Sequence, residues 1–507
     1  MILVLLILLL AAASPGAPAS RDTLIAGQAY ALLPVEHLVA RLRRPDPARY
    51  RRTAFAGRLA GLGQVRAPVD LEEVVFLDQV VLDGAVFGAP VRGRGLVFQR
   101  GLSLLGARFA QGLDLEAAQW RGPCSANQAV FAGSTRFENC HFTAAASFIG
   151  ARFEGPSSLA RSRFEEGAFF EEARFAGPAD LADVYFEAVS SFKRAAWQDR
   201  VSFAGARFKD RSFFWNADFA GLATFDQARF GSETSFSRAR FAGPGAFRDL
   251  TFVHPAHFDQ AEFAAGADFG NSHFKRLADF SGCRAEGPLE LGAFFGGDLD
   301  LRRARAPVLD LRRPSGPAPD SLSAAGARVF LQGSRAGQVL VRWEQLAGRL
   351  AAPDSAGSPD TEAVYAFLAG QFAAQGLGGD ALACRAAGLE HRRQNLGWTR
   401  PEKYFLLGWR LTTGYGASLG QFFLFAGALV LGFALLYRSG RASFRPLQGA
   451  RAFSLGSCLL FSLQTFARVG AVAWRPGGAY RWWALAQGLA GWLAWALFIA
   501  TLLARMS

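Results

Sequence analysis

The sequence predicts a mainly β protein in two parts, a parallel β-solenoid of short strands followed by an α-helical membrane module. Three observations lead there. Large apolar residues, mostly Phe, recur in alternating steps of five and six from Leu71 to Leu291. Glycine and proline fall inside these repeats, as at Gly155-Pro156, Gly177-Pro178 and Gly243-Pro244, where a helix interior would not accept them. Beyond Cys384 the chain turns apolar and basic, with 14 Arg or Lys against only Glu390 and Glu402.

Composition narrows the function classes. The 507 residues include 47 Phe, far above ordinary usage, so a repeated packing rule precedes any conventional fold. With 51% apolar residues and no glycine period of three, collagen-like and wholly disordered chains are excluded. The five cysteines, Cys124, Cys140, Cys283, Cys384 and Cys458, form no C-x-x-C pair, which argues against a structural zinc or iron–sulfur site. His254 and His257, the only close histidine pair, sit in a loop-like VHPAHF stretch that suits solvated or core-edge positions. No nucleophilic triad, phosphate loop or zinc motif occurs, so neither catalysis nor a cofactor nor a metal is expected.

The amino terminus, MILVLLILLLAAA followed by SPGAPAS, has the apolar core and the Ala17-Pro18-Ala19 triplet of a signal peptide over 1–19. Residues 20–70 read as an N-terminal cap. Within them residues 34–42 read as a short amphipathic helix begun by Pro34 and stopped before Pro45 and Pro47.

From Leu71 the walk visits 41 positions, of which 29 are Phe, 7 Leu and 2 Trp, and only Gly93, Ala126 and Ala285 break it. The residue two before a rung is mostly small, as with Ala151, Ser162, Ala173, Ala195 and Ser212. Steps of five and six scatter successive rungs around a helix, whereas short strands and tight turns bring them all to one interior.

The Phe-x-Gly-Ala-x-Phe pattern, as in FAGARF at 203–208, resembles the pentapeptide-repeat family. That resemblance implies a right-handed quadrilateral β-helix over 71–313, with two 11-residue units in each coil. Residues 71–291 would then form about ten coils, a rod on the order of 50 Å long at a strand spacing of about 4.8 Å. Some family members imitate duplex DNA, which needs a strongly acidic surface. Here 23 Lys or Arg stand against 27 Asp or Glu over 71–291, so no nucleic-acid role is expected.

Residues 314–359 read as a C-terminal cap and linker, including a Pro/Ser/Gly/Ala loop at 314–325 and a strand and short helix containing Trp343 and Leu346. A helical collar is expected over 360–410, with Ala363, Phe367, Gly370 and Ala374 on one helix face and a second helix over 380–395. The runs YAFL at 365–368, DALAC at 380–384 and LTTGYG at 411–416 are similar to the stretch that couples pentapeptide repeats to a membrane module in one bacterial subfamily.

Residues 411–507 form the membrane module. The uncharged runs 417–437 and 482–504 are long enough to span, whereas 452–467, about 24 Å as helix, suits a re-entrant half-helix. LFSLQTF at 460–466 and GLAGWLAWALFIAT at 488–501 resemble the two-transmembrane potassium-channel module. Its pore or filter-equivalent positions are Thr465, Arg468, Val469, Gly470, Ala471 and Val472. Arg468 stands at the threonine-like place, and Ala471 and Val472 replace Tyr and Gly, so the filter is degenerate and potassium selectivity is expected to be lost.

The connector 438–481 carries seven Arg and no acidic residue, which places it in the cytoplasm and the β-helix in the periplasm of a bacterial inner membrane. The function expected is that of a membrane-anchored periplasmic scaffold or interaction protein, whose partners are the lipid bilayer and a protein bound along the solenoid. The alternative is a pore-forming, ion-channel-like subunit that is not potassium-selective, which would require a homo-tetramer.

Overall fold

A computed structural model of the chain describes residues 21–25, 27–312, 327–351, 359–447, 453–470 and 473–506. The stretch 1–19 expected as a signal peptide, the loop at 314–325 and the body of the linker before Pro359 lie outside the described residues. The chain divides into two compact units, Met1–Leu340 and Val341–Ser507.

In the first unit nearly every strand is two residues long, and through the central coils each pairs in parallel with the strand 22 residues further on: Arg163 with Tyr185, Phe164 with Phe186, Phe186 with Phe208. Between Arg163–Phe164 and Tyr185–Phe186 come Ala168–Phe169, Arg174–Phe175 and Ala179–Asp180, so four ladders run along a β-solenoid. Backbone groups are satisfied between coils, as where Tyr185 N donates to Ser162 O at 2.9 Å and Glu187 N to Phe164 O at 2.8 Å.

Two kinds of corner explain the alternating steps. The five-residue step is a tight turn closed by a bond such as Ala206 N to Phe203 O (3.0 Å), with Gly205 at φ 67°. This left-handed position recurs every 11 residues, at Asn139, Gly150, Arg161, Glu172, Asp183, Arg194, Gly205, Asn216 and Gln227. A turn with φ above zero at its third residue favours Gly or Asn. This chain seats charged residues at several of them and accepts the strain. The six-residue step bends through Gly-Pro, where neighbouring coils approach so closely that a Cβ on Gly177 would lie 2.8 Å from the Gly155 carbonyl carbon.

The rungs fill the interior. Rings stack coil on coil in near-parallel columns: Phe153 on Phe175 at 4.6 Å, Phe175 on Trp197 at 5.4 Å, Trp197 on Phe219 at 4.6 Å. Adjacent columns meet edge to face, as Phe203 does with Phe214 at 5.5 Å and 89°. Both are preferred ring geometries, and burial of each ring contributes about 1.5–3 kcal/mol. Ala173, Ala195 and Ser212, two residues before a rung, are buried between columns that leave no room for more. At Gly93, where a rung is missing, Leu96 takes the space that its Cβ would enter.

Coil pairing outlasts the phenylalanines in both directions. Ala48–Arg51 pairs with Val69–Glu72 before Leu71, and Arg305–Asp310 pairs with Arg335–Leu340 after Leu291. Helix α1 (Val35–Leu42) buries Leu38 and Leu42, which line the same apolar interior as Leu59, Leu62 and Leu71.

The second unit is helical: α2 (Trp343–Leu346), α3 (Pro359–Ala374), α4 (Gly378–Asn395), α5 (Pro401–Thr413), α6 (Leu419–Ser439), α7 (Leu455–Ala467) and α8 (Tyr480–Met506). Ala363, Phe367, Gly370 and Ala374 share a face of α3, and it is the outer one. Val364, Leu368 and Phe372 are buried, whereas Ala363, Gly370 and Ala374 are exposed and Phe367 only half-buried. The larger side chains gain more by leaving water and take the packed face.

Helix α6 and the Tyr480–Leu503 part of α8 are long and apolar enough to cross a bilayer, yet their most apolar windows are only 17% and 33% buried within the protein. Leu424, Leu431, Leu435, Trp492 and Leu503 are exposed along them. An aqueous core helix would be covered, so the module is membrane-associated. Between them α7 begins where Ser454 caps it by accepting from Ser457 N. Its 13 residues reach about 20 Å, short of the 30 Å hydrocarbon layer.

Candidate functional site in the helical module

The filter-equivalent residues follow the end of α7. Arg468 is its left-handed cap, at φ 52° and ψ 37°. The Thr465 hydroxyl donates to Phe461 O at 2.7 Å, one turn back on the same helix. Thr465, Arg468 and Gly470 line one open cavity together with Gln464, Trp474 and Gly488. The guanidinium of Arg468 lies over Gly488 of α8, where an added Cβ would come within 3.3 Å of Nη2. Val469 points away and is 69% exposed. Ala471 and Val472 lie outside the described residues.

A buried polar chain ties the three apolar helices together. Tyr437 Oη of α6 donates to Gln487 Oε1 of α8 at 2.8 Å. Gln487 Nε2 donates to Ser462 Oγ of α7 at 2.6 Å and to Ser462 O at 3.1 Å, and Ser462 Oγ donates to Val430 O of α6 at 2.7 Å. All three side chains are fully buried. In an apolar surrounding, each group left unpaired would cost more than its bond contributes, so the chain fixes α7 against both neighbours. The sequence reading passed over this set. Its signal was Gln487, the only amide in the uncharged run 482–504.

A second cluster precedes α6. Glu390 Oε1 accepts from Arg393 Nη2 at 2.7 Å and Arg410 Nη1 at 2.9 Å, while Oε2 accepts from Arg393 Nε at 2.9 Å and Tyr415 Oη at 2.7 Å. The Arg393 bonds outweigh burial and, with Tyr415, Gln394 and Arg410, hold the Glu390 carboxyl down at about 2. Burial pushes the Tyr415 phenol up to about 12, and its bond to Glu390 adds to the rise. The Gly414-Tyr415-Gly416 turn is thus a structural joint in which the tyrosine serves as a tether. Among the described residues, the grouping of histidine and carboxylates close enough to share an ion is His257, Asp259 and Asp279, on the solenoid.

Residues 115–163 and 137–184 match the family of pentapeptide repeats (9 copies). No curated protein and no solved structure matches the chain. The molecule therefore carries a pentapeptide-repeat β-solenoid joined to a helical region with two helices of membrane-spanning length.

Proposed function

We propose that the chain is a membrane-anchored scaffold whose solenoid, a right-handed quadrilateral rod in the periplasm, binds a protein partner along its outer faces. One observation carries this reading. The interior stays large and apolar from coil to coil, while the outward ladder position varies through Phe213, Ser235, His257 and Asp279. A surface that changes while its support does not is suited to recognition. The arginine-rich, acid-free connector 438–481 supports its placement in the cytoplasm. The full-length chain in detergent should have the mass of one copy and give background ion flux in liposomes. Four copies with cation flux would overturn this reading.

The short apolar α7 between two helices of spanning length favours a second reading, a pore-forming subunit with a re-entrant half-helix and a degenerate, potassium-channel-like filter. In a tetramer Arg468 would set the barrier to cations. On that reading, Arg468→Thr with Ala471→Tyr and Val472→Gly raises cation flux in liposomes; on the scaffold reading, flux stays at background.

A further inference from the structure

We propose that His257, Asp259 and Asp279 form a divalent-metal site of the zinc type on the outer face of the solenoid, with Glu233 supporting the histidine from behind. The site is assembled by the coil repeat. Ser235, His257 and Asp279 are successive Cα partners in one ladder, and Asp259 follows His257 by two residues in the same coil. All three donor atoms lie within 4.8 Å of one another.

One ligand spacing is close to that of donors around an ion: His257 Nδ1 is 3.6 Å from Asp279 Oδ2, while on the other side of the ring Nε2 is 3.4 Å from Glu233 Oε1, both longer than an ordinary hydrogen bond. Two donors each bound at about 2.1 Å to a tetrahedral ion stand about 3.4 Å apart. An ion held between Nδ1 and Asp279 therefore needs little rearrangement, and Asp259, within 4.8 Å of both, closes in as the third ligand. Glu233 then stands where a metal-bound histidine places its second ring N–H, against a carboxylate that fixes the tautomer.

Each ligating carboxylate is itself held. Asp259 Oδ1 accepts a short bond from the Ser237 hydroxyl, and Asp279 Oδ1 accepts from Ser281 N at 2.9 Å. The Asp279 and His257 side chains are 19% and 26% exposed, so the pocket is reachable and partly dry. One imidazole nitrogen with two carboxylates suits zinc better than calcium or magnesium, which prefer all-oxygen shells. Three protein ligands leave a fourth position for water.

The test uses the full-length chain in detergent, stripped with EDTA and desalted, then titrated with zinc chloride and, for its visible absorption, cobalt chloride. One zinc per chain is expected by elemental analysis and calorimetry. His257→Ala and Asp279→Asn should weaken binding about 100-fold, Glu233→Gln about 10-fold, and His273→Ala, elsewhere on the solenoid, not at all. Asp259→Asn, a smaller change, should shift the cobalt spectrum without altering circular dichroism. A natural chain that binds no zinc, or equal zinc binding by His257→Ala, overturns the proposal.

Discussion

Tyr415 donates its phenolic proton to Glu390 at 2.7 Å, so the turn that leads into the first spanning-length helix is fastened to α4. The Glu390 carboxyl sits at about 2 in the folded chain against an ordinary 4.5. A group lowered in this way contributes stability that is fully present above 4.5 and is lost as pH falls toward 2. Melting of the full chain in detergent should therefore drop across that interval. Glu390→Gln should lower the melting point at pH 7 and flatten the acid slope; an unchanged slope would show that the cluster contributes nothing.

The ring columns make a sharper prediction. Phe208 lies on Phe230 at 4.8 Å and is 1% exposed, whereas the adjoining Lys209 faces solvent. Phe208→Asp places an unpaired charge between two rings and should cost more than about 4 kcal/mol, against under about 1 kcal/mol for Lys209→Asp. Denaturant melts decide between them, and equal losses would contradict the inward assignment.

At Gln227 the backbone holds φ 61° with an exposed side chain, so a residue with a Cβ carries strain that glycine lacks. Gln227→Gly should stabilise the solenoid by up to about 1 kcal/mol, the relief of left-handed strain exceeding the added freedom of the unfolded chain. A lowered melting midpoint would mean that the turn itself is not strained.

Gln487→Leu removes one amide and leaves the Tyr437 and Ser462 hydroxyls to find other partners inside the helical module. A loss of about 1 kcal/mol is expected in a detergent unfolding assay, and the pair Gln487→Leu with Ser462→Ala should cost less than the sum of the two. Additive losses would show that the two side chains act independently.

Orientation is tested with fusions. A reporter active only in the periplasm should be active after Leu350 and silent at Ser443. The reverse pattern would put the solenoid in the cytoplasm.

The solenoid was legible because its rule is local: a rung every five or six residues with a small residue two before it, so Phe164, Phe186 and Phe208 announce one another. Its reach was less so. Ala48–Arg51 and Arg335–Leu340 pair with neighbouring coils without any phenylalanine to mark them. Helical spacing put Ala363, Gly370 and Ala374 on one face of α3 but did not say which face packs, and their side chains are too small to win the interface that Val364, Leu368 and Phe372 take. His257 and Asp279 stand one expected 22-residue coil apart, so their pairing was within reach of the sequence, whereas the approach of their side chains to each other and to Asp259 was not. Tyr437, Ser462 and Gln487 meet through helix packing, which no run of apolar letters encodes.

The left-handed residue at every eleventh position has a consequence for how such a chain can change length. Insert 22 residues and the rod gains one storey, each later side chain keeping its compass bearing. Insert 11 and the order of turns, rungs and small residues along the chain is kept, but all that follows is turned by half a revolution, and glycines that touch at 22-residue spacing, as Gly155 and Gly177 do, lose their partners. Half-coil duplications thus keep the rung order while exchanging front for back, and a partner gripping both ends of the rod would tell them apart.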